Sequence, residues 1–160
     1  MKNFIFIVFL TIGGRAFGLP IAISPTEFIP KGYDVLEELQ GDLNKDDQED
    51  YVFIIKGTDE KAFVKDEYRG ERDLNRRGIV IVFKNKNKYE LVLENRDCFS
   101  SQNEDGGFYF PSIITSIEKG NLLISYGHGR YGGYWQYNFR HQNTDFQLIG
   151  FNSGEVREPV

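Results

Sequence analysis

The chain has 160 residues, one cysteine and a formal net charge of −5, with an apolar fraction of 40% that is ordinary for a globular protein. This length fits a single domain, and the acidic balance disfavours nucleic acid and anionic lipid surfaces, whose phosphates attract Lys and Arg. One cysteine alone excludes an intramolecular disulfide.

The N-terminus has the pattern of a secretory signal peptide. Lys2 supplies a positive charge, and residues 4–12 form an apolar stretch that is too short to span a bilayer. Ala16-Phe17-Gly18 then offers the small-x-small pattern that signal peptidase cleaves, and Ala22 is a second candidate. We therefore predict a signal peptide at residues 1–18.

The remaining residues, 19–160, are predicted to form one β-rich domain that is secreted or periplasmic. Removal of the signal peptide leaves 17 basic against 24 acidic residues, so the net charge of this domain is −7. No downstream stretch has the ~18 consecutive apolar residues of a membrane span.

Composition and turn spacing favour an all-β fold. The chain contains 14 Phe, 9 Tyr and 17 Gly, which suit pleated sheets and tight turns. Short turn sequences join four pairs of predicted strands, at residues 33–40 with 51–56, 79–84 with 88–94, 112–118 with 121–126, and 134–141 with 145–151. The expected product is an antiparallel meander of about eight strands, arranged as a sandwich, an open barrel or propeller-like sheets.

Two long connections interrupt the predicted meander. Residues 58–77 hold six acidic and six basic residues, which favours a solvated loop or one short helix and leaves a partner-binding insert as the alternative. Residues 95–109 are polar and contain glycine, so we expect a second exposed loop there.

The strongest local signal is the acidic sequence DLNKDDQED at residues 42–50. Oxygen-bearing side chains stand at alternate positions of this segment, at Asp42, Asn44, Asp46, Gln48 and Asp50. Calcium prefers a shell of six to eight oxygens that includes several carboxylates. We therefore predict a structural Ca2+ site here, and a plain solvated turn is the alternative.

The same segment resembles the calcium-binding β-hairpin of FG-GAP and VCBS-type repeats, the units of the integrin alpha-chain propeller. The resemblance covers about fifteen residues, GDLNKDDQEDYVFII, and implies Asp42, Asn44, Asp46, the Gln48 carbonyl and Asp50 as ligands. The family usually has Gly at the sixth loop position, where the backbone often takes a positive φ, and this chain has Asp47. As a whole, the chain is similar to small secreted bacterial proteins of unassigned function, which implies no activity.

A tract rich in aromatic residues and glycine, residues 126–141, is the second candidate site. In a strand, Trp135, Tyr137 and Phe139 share one face and are expected in the core. The opposite face, which includes Tyr134, is polar enough to meet solvent or a ligand. The candidate ligand-binding residues are His128, Arg130, Tyr131 and Tyr134, which offer rings and hydrogen-bond donors to a sugar or peptide.

We assign no catalytic residue from the sequence. His128 and His141 are not spaced as metal ligands with another His or Cys, and no nucleophile-elbow, zinc-protease or phosphate-loop motif occurs. Cys98 is interpreted as a free thiol in a loop, and a thiolate–imidazolium pair with His128 is the weaker interpretation.

The sequence therefore predicts an exported binding or interaction module with a structural calcium hairpin and a protein or glycan partner. The alternatives are an exported hydrolase with a site near His128, Arg130 and Tyr131, and a secreted protein inhibitor that uses residues 58–77 as its contact surface.

Overall fold

The described chain forms three antiparallel sheets, and the predicted all-β class is confirmed. The computed structural model describes residues 20–101, 103, 111–128 and 133–155, and for 111, 128 and 155 only the backbone. The predicted signal peptide lies outside these residues. The strands are β1 (Ile21–Ala22), β2 (Tyr33–Gly41), β3 (Asp50–Gly57), β4 (Phe63–Asp66), β5 (Gly70–Asp73), β6 (Arg77–Asn85), β7 (Lys88–Phe99), β8 (Pro111–Glu118), β9 (Asn121–His128), β10 (Gly133–Gln142) and β11 (Asp145–Glu155).

All four predicted hairpins are confirmed, as β2–β3, β6–β7, β8–β9 and β10–β11. The strands are ordered β1-β7-β6-β3-β2 in a five-stranded sheet and β11-β10-β9-β8 in a four-stranded sheet, while β4 and β5 form a separate pair. Both large sheets are open, and they pack face to face as in a sandwich.

The hairpin turns adopt the backbone that tight two-residue connections require. Lys119 and Gly120 both have positive φ, 53° and 74°, which matches the twist of the flanking strands. Lys86 and Asn143, which begin the β6–β7 and β10–β11 turns, also have positive φ. These turns fix the strand registers, because a two-residue loop leaves no slack for slippage.

The main core lies between the two large sheets. Its buried residues come from the β2–β3 loop, β3, β6 and β9: Leu43, Val52, Ile54, Ile79, Ile81, Leu122 and Ile124. Phe83, Phe139 and Phe146 pack around this cluster from the ends of β6, β10 and β11. The alternating inward side chains of both sheets therefore meet, as expected for stacked sheets.

The central strands β3 and β6 are buried on both faces. A second core cluster of Phe53, Ile55, Val80 and Val82 lies on the outer face of the five-stranded sheet. Phe28 and Ile29 cover it from the segment before β2, which contains a short 3-10 helix at Pro25–Phe28. Burial on both sides explains why these strands are apolar without interruption.

The structure corrects the prediction for residues 58–77. After a short 3-10 turn at Glu60–Ala62, this insert folds into the hairpin β4–β5 instead of a loop or a helix. The Asp66 carboxylate accepts the backbone N–H groups of Tyr68 and Arg69 at 3.0 and 3.1 Å, and Gly70 has φ +75°. These contacts make the tight turn that the charged composition concealed.

The prediction of a loop at residues 95–109 is also wrong in part, because β7 continues to Phe99. Its pairing with β6 is irregular, since Arg77 pairs with Phe99 and Ile79 with Asn95. Gly78 lies in this irregular stretch, where an added Cβ would come within 2.7 Å of the Arg96 backbone. Residues 102 and 104–110 lie outside the described part of the chain.

Candidate functional site

The acidic loop between β2 and β3 is built around the Asp42 carboxylate. The backbone N–H groups of Lys45 and Asp46 donate to Asp42 Oδ1 at 2.6 and 3.2 Å, and that of Asp47 donates to Oδ2 at 3.0 Å. One side chain therefore accepts from three successive amides and curls the loop back on itself. Asp commonly stabilises turns in this way.

The next two predicted ligands repeat the pattern two residues apart. Asn44 Oδ1 accepts the Asp46 N–H at 3.0 Å, and Asp46 Oδ1 accepts the Gln48 N–H at 2.9 Å. The side-chain amides of Asn44 and Gln48 both donate to Asp46 Oδ2 at 3.1 Å. The side chains of Asn44, Asp46 and Gln48 are thus gathered on one side of the loop.

Asp47 takes the backbone conformation that the family resemblance implies at the sixth position. Its φ is +64°, and Lys45 has φ +66°. Asp tolerates the left-handed region better than most residues, although less readily than Gly. The loop therefore keeps its curled shape without glycine.

Asp50 differs from the other acids because it is fully buried, at 0% exposure. Its two oxygens accept the backbone N–H groups of Leu43 at 2.9 Å and Lys84 at 3.0 Å. Burial raises the pKa of this carboxyl to about 6, the two amide donors oppose the rise, and the negative charges of Asp46 and Asp42 add to it. Asp50 thus belongs electrostatically to the acidic loop.

The acidic loop is attached to both large sheets. Gln48 Oε1 accepts the Lys86 N–H at 2.8 Å in the β6–β7 turn, and Leu43 lies in the main core at 1% exposure. On the other sheet, Gly120 lies so close that an added Cβ would be 3.3 Å from the Asp42 carbonyl oxygen. The loop therefore joins the two sheets where the hairpin turns are gathered.

The donor set fits a hard cation in part. Asp42, Asn44, Asp46, Asp50 and the Gln48 carbonyl supply only oxygen. Asp42 Oδ2, Asp46 Oδ1 and both Asp50 oxygens accept one N–H each and keep a second lone pair, whereas Asp42 Oδ1 and Asp46 Oδ2 each accept two. Among the described residues, no three His, Cys, Asp or Glu side chains converge as a ready metal site. An ion here would therefore depend on the amide and carbonyl oxygens, and on water, besides the carboxylates.

A cleft lies between the two large sheets and is bordered by part of the main core. Its volume is about 710 Å³, within the ~300–1,000 Å³ range of small-molecule sites. Apolar and aromatic side chains of both sheets line its interior: Ile79, Ile81, Leu93, Phe99, Leu122, Ile124, Tyr137, Phe139 and Phe146. The predicted core face of β10 therefore faces inward as expected, but its rings border a cleft instead of a closed interior.

Polar groups border one end of the cleft. Glu94, Asn95 and Cys98 are exposed residues on β7, and they mark its mouth. Ser100 and Tyr126 are joined there by a hydrogen bond between their hydroxyls, and the Tyr126 ring lies 6.4 Å from that of Trp135. The cleft thus combines an apolar floor with hydroxyl and amide groups at its opening.

Cys98 lies in strand β7, not in the loop predicted for it. Although the residue is exposed, burial of its thiol and, to a smaller extent, the charge of Asp97 raise the pKa to about 11. A thiol with this pKa is protonated near neutral pH and is a poor nucleophile. His141 packs edge-on against Phe83, with ring centroids 4.7 Å apart, and burial lowers its pKa.

The four predicted ligand-binding residues are only partly located. His128 ends β9, where its backbone pairs with that of Pro111, and Arg130 and Tyr131 lie outside the described residues. Tyr134 lies on β10 opposite Gly127, on the face that points away from the cleft, and is 44% exposed. The structure therefore separates Tyr134 from the rings that line the cleft.

The β4–β5 insert is anchored at its base and exposed at its tip. Asn75, 5% exposed, accepts the Asp59 N–H at 2.9 Å and donates to the Asp59 carbonyl and the Asp73 carboxylate. Asp73 also forms an ion pair with Lys56 of β3. At the tip, Tyr68 is 90% exposed.

No protein-family model, curated protein or solved structure matches this chain. The resemblance of the acidic loop to FG-GAP hairpins therefore stays a prediction that rests on the loop itself. In the described part of the chain, no helix has the length and apolarity needed to cross a membrane.

Proposed function

We propose that this chain is an exported binding module that takes a small amphipathic ligand into the cleft between its two sheets. The observation that carries the proposal is the cleft itself, with its volume of about 710 Å³ and its lining of aromatic and aliphatic side chains. Large apolar pockets with a few polar groups at defined positions are the usual form of small-molecule sites.

The lining favours an apolar body with one polar end. Aromatic side chains such as Tyr137 and Phe139 offer a large contact area to apolar or aromatic groups. The hydroxyls of Ser100 and Tyr126 and the side chain of Asn95 border the same cleft, where they can hydrogen-bond a hydroxyl or carbonyl. A ligand of this kind would place its polar end at the mouth.

The titratable groups of the lining favour binding over catalysis. The Cys98 thiol is protonated at neutral pH, and Glu94 is engaged by Arg96. Among the described lining residues, no histidine stands beside a hydroxyl or thiol as a nucleophile–base pair would require. The hydrolase alternative therefore has no support from the described lining.

Titration with the apolar dye 1-anilinonaphthalene-8-sulfonate tests the cleft. We expect saturable binding of one dye per chain. The variant Ile124→Phe should bind the dye at least tenfold more weakly, because Ile124 lines the cleft, is only 8% exposed, and is replaced by a larger side chain that fills cleft space. The matched control Ile23→Phe makes the same change at a position that is 83% exposed and should bind as the wild type does.

Circular dichroism and a cooperative melting curve must show that each variant is folded, because this dye also binds loosely packed states. Leu93→Phe provides a second filling variant from the opposite sheet. Unchanged dye affinity in folded Ile124→Phe and Leu93→Phe would overturn the proposal.

We also propose that the acidic loop holds a structural calcium ion. Asp42, Asn44, Asp46, the Gln48 carbonyl and Asp50 would hold it. The ion would offset the repulsion among three carboxylates, one of which is buried with a raised pKa. The loop's contacts with both sheets support a structural role for such an ion.

A further inference from the structure

The outer face of the four-stranded sheet carries ordered rows of mostly polar side chains, with Ile114 and Leu123 as the apolar members of the second and third rows. Strand registers place Tyr134 opposite Gly127 and Gly154, and place Gln136 opposite Ser125 and Asn152. Both core clusters lie elsewhere in the described chain, so this face meets neither of them. Successive rows are ~6.6 Å apart, because each advances two residues along a strand.

Tyr134 forms an aromatic platform at one end of this face. Its ring occupies the space above Gly154, where an added Cβ would lie 2.6 Å from the ring atom Cε1 and 3.1 Å from Cζ. On the other neighbouring strand, Gly127 approaches the Tyr134 Cβ. Glycine on both sides lets the ring lie against the sheet, and the residue stays 44% exposed.

A row of amide and hydroxyl groups follows next to the platform. Asn152 Nδ2 donates to Gln136 Oε1 at 3.4 Å, and Gln136 Nε2 donates to Ser125 Oγ at 3.2 Å. In the third row, Asn138 Oδ1 is buried and has no hydrogen-bond partner among the described residues. In the fourth row, Arg140 Nε donates to Asn121 Oδ1 at 3.0 Å. Both donors and acceptors therefore occur along the face.

This pattern matches a ligand whose groups both donate and accept hydrogen bonds. A sugar hydroxyl does both, as do the Asn, Gln and Ser side chains of the rows. The apolar face of a sugar ring fits an exposed aromatic ring such as Tyr134. A flat ring followed by amides at one-row spacing therefore suits a sugar better than an apolar molecule.

The charges on this face and on the whole protein favour a neutral sugar. The first three rows contain no charged side chain, and the fourth adds Arg140 with Glu118 at its edge. The protein as a whole is acidic, with a net charge of −5, and would repel a polyanion. The four rows span ~20 Å, which suits several linked sugar units.

We propose that the outer face of the four-stranded sheet, from Tyr134 to Arg140, binds an uncharged oligosaccharide. This site is distinct from the cleft, because the two lie on opposite faces of β10. The proposal is therefore independent of whether the cleft binds a ligand.

Isothermal titration calorimetry of the full chain against five neutral hexasaccharides tests the proposal: the β-1,4-glucan, α-1,4-glucan, β-1,3-glucan, β-1,4-mannan and β-1,4-N-acetylglucosamine series. We expect millimolar or tighter binding of at least one of them. Tyr134→Ala and Gln136→Ala should each weaken it at least tenfold, while Tyr134→Phe, which keeps the ring, should stay within about threefold of the wild type.

Two controls locate the binding. Tyr68→Ala removes another exposed tyrosine, 90% exposed on the β4–β5 hairpin, and should leave sugar affinity unchanged. The cleft variant Ile124→Phe should also leave it unchanged, which separates this site from the proposed cleft function. Absence of binding to all five sugars at 10 mM, or equal affinity in a folded Tyr134→Ala variant, would overturn the proposal.

Discussion

The buried carboxylate of Asp50 accepts the backbone N–H of Lys84 at 3.0 Å, which joins the start of β3 to the end of β6. Its other oxygen accepts the Leu43 N–H at 2.9 Å within the acidic loop. One side chain therefore ties the loop to the neighbouring strand. A buried acid in this role costs desolvation, and two charge-assisted hydrogen bonds offset part of that cost.

We expect Asp50→Asn to destabilise the fold. Both carboxylate oxygens accept N–H groups, so an amide at this position must point its NH₂ group at one of them and leave that donor unsatisfied. The loss should be about 1–3 kcal/mol, measured by urea unfolding in chelator. Asp34→Asn, an exposed change on β2, serves as the control and should alter stability by less than about 0.5 kcal/mol.

Stability should depend on pH through the same carboxyl. Burial first, and the charges of Asp46 and Asp42 after it, raise the pKa of Asp50 from 3.8 to about 6, so the folded chain holds this proton more tightly than the unfolded chain. Lowering the pH from 7 to 4 should therefore stabilise the fold through this group. The full gain, on the order of 3 kcal/mol, is reached below the ordinary pKa of 3.8.

The difference in unfolding free energy between wild type and Asp50→Asn isolates this effect from other groups. That difference should grow in favour of the wild type as the pH falls below 6 in chelator. The pKa values of Asp66 and Asp73 are lowered, so their contributions weaken at low pH, but they are shared by both proteins. A difference that is flat from pH 7 to 4 would contradict the assignment.

Calcium should raise the melting temperature at neutral pH. At a concentration 100 times the dissociation constant, the gain is about 2.7 kcal/mol, and each kcal/mol corresponds to ~2–4 °C for a chain of this size. Asp46→Asn removes one predicted ligand charge but keeps an acceptor for the Gln48 N–H, so it should abolish most of the shift in calcium and change little in chelator.

Glu49→Gln is the matched control for calcium, because it removes the same charge from an exposed position of the same loop. It should keep the calcium shift. The wild-type shift should also shrink at pH 5, where protonation of Asp50 competes with the ion. Identical wild-type melting curves in calcium and in chelator at pH 7 would refute the metal site.

The Cys98 thiol should react slowly in the folded protein. Burial raises its pKa from 9.0 to about 11, so the thiolate fraction at pH 8 falls roughly 100-fold relative to an ordinary thiol. Alkylation by iodoacetamide, followed by mass spectrometry, should therefore be much slower in the native chain than in 8 M urea. Equal rates in the two conditions would show that the thiol is not desolvated.

The hairpins were predictable because their signals are local. Lys119-Gly120 and the other short turns stand between apolar runs, and antiparallel pairing follows from so short a connection. The place of the acidic loop between two strands was predictable for the same reason, since the contacts of Asp42 that curl it reach at most five residues along the chain.

What the sequence did not reveal depends on contacts between distant residues. The bonds from Lys84 and Lys86 to the acidic loop join residues 34 and 38 positions apart. The cleft exists because two sheets meet, and no single segment encodes its volume. The β4–β5 hairpin was missed because its strands are short and charged, without the apolar alternation that predicts a strand.

The serial hairpins also divide the molecule into two unlike poles. The acidic loop and the three two-residue turns of β6–β7, β8–β9 and β10–β11 lie at one pole, while the β4–β5 insert and the connections that follow Phe99 and His128 leave from the opposite pole. A change of length in the β4–β5 insert would therefore leave the strand registers of both large sheets untouched. A fold arranged this way can accept new lengths and sequences at one pole while the other keeps the sheets together.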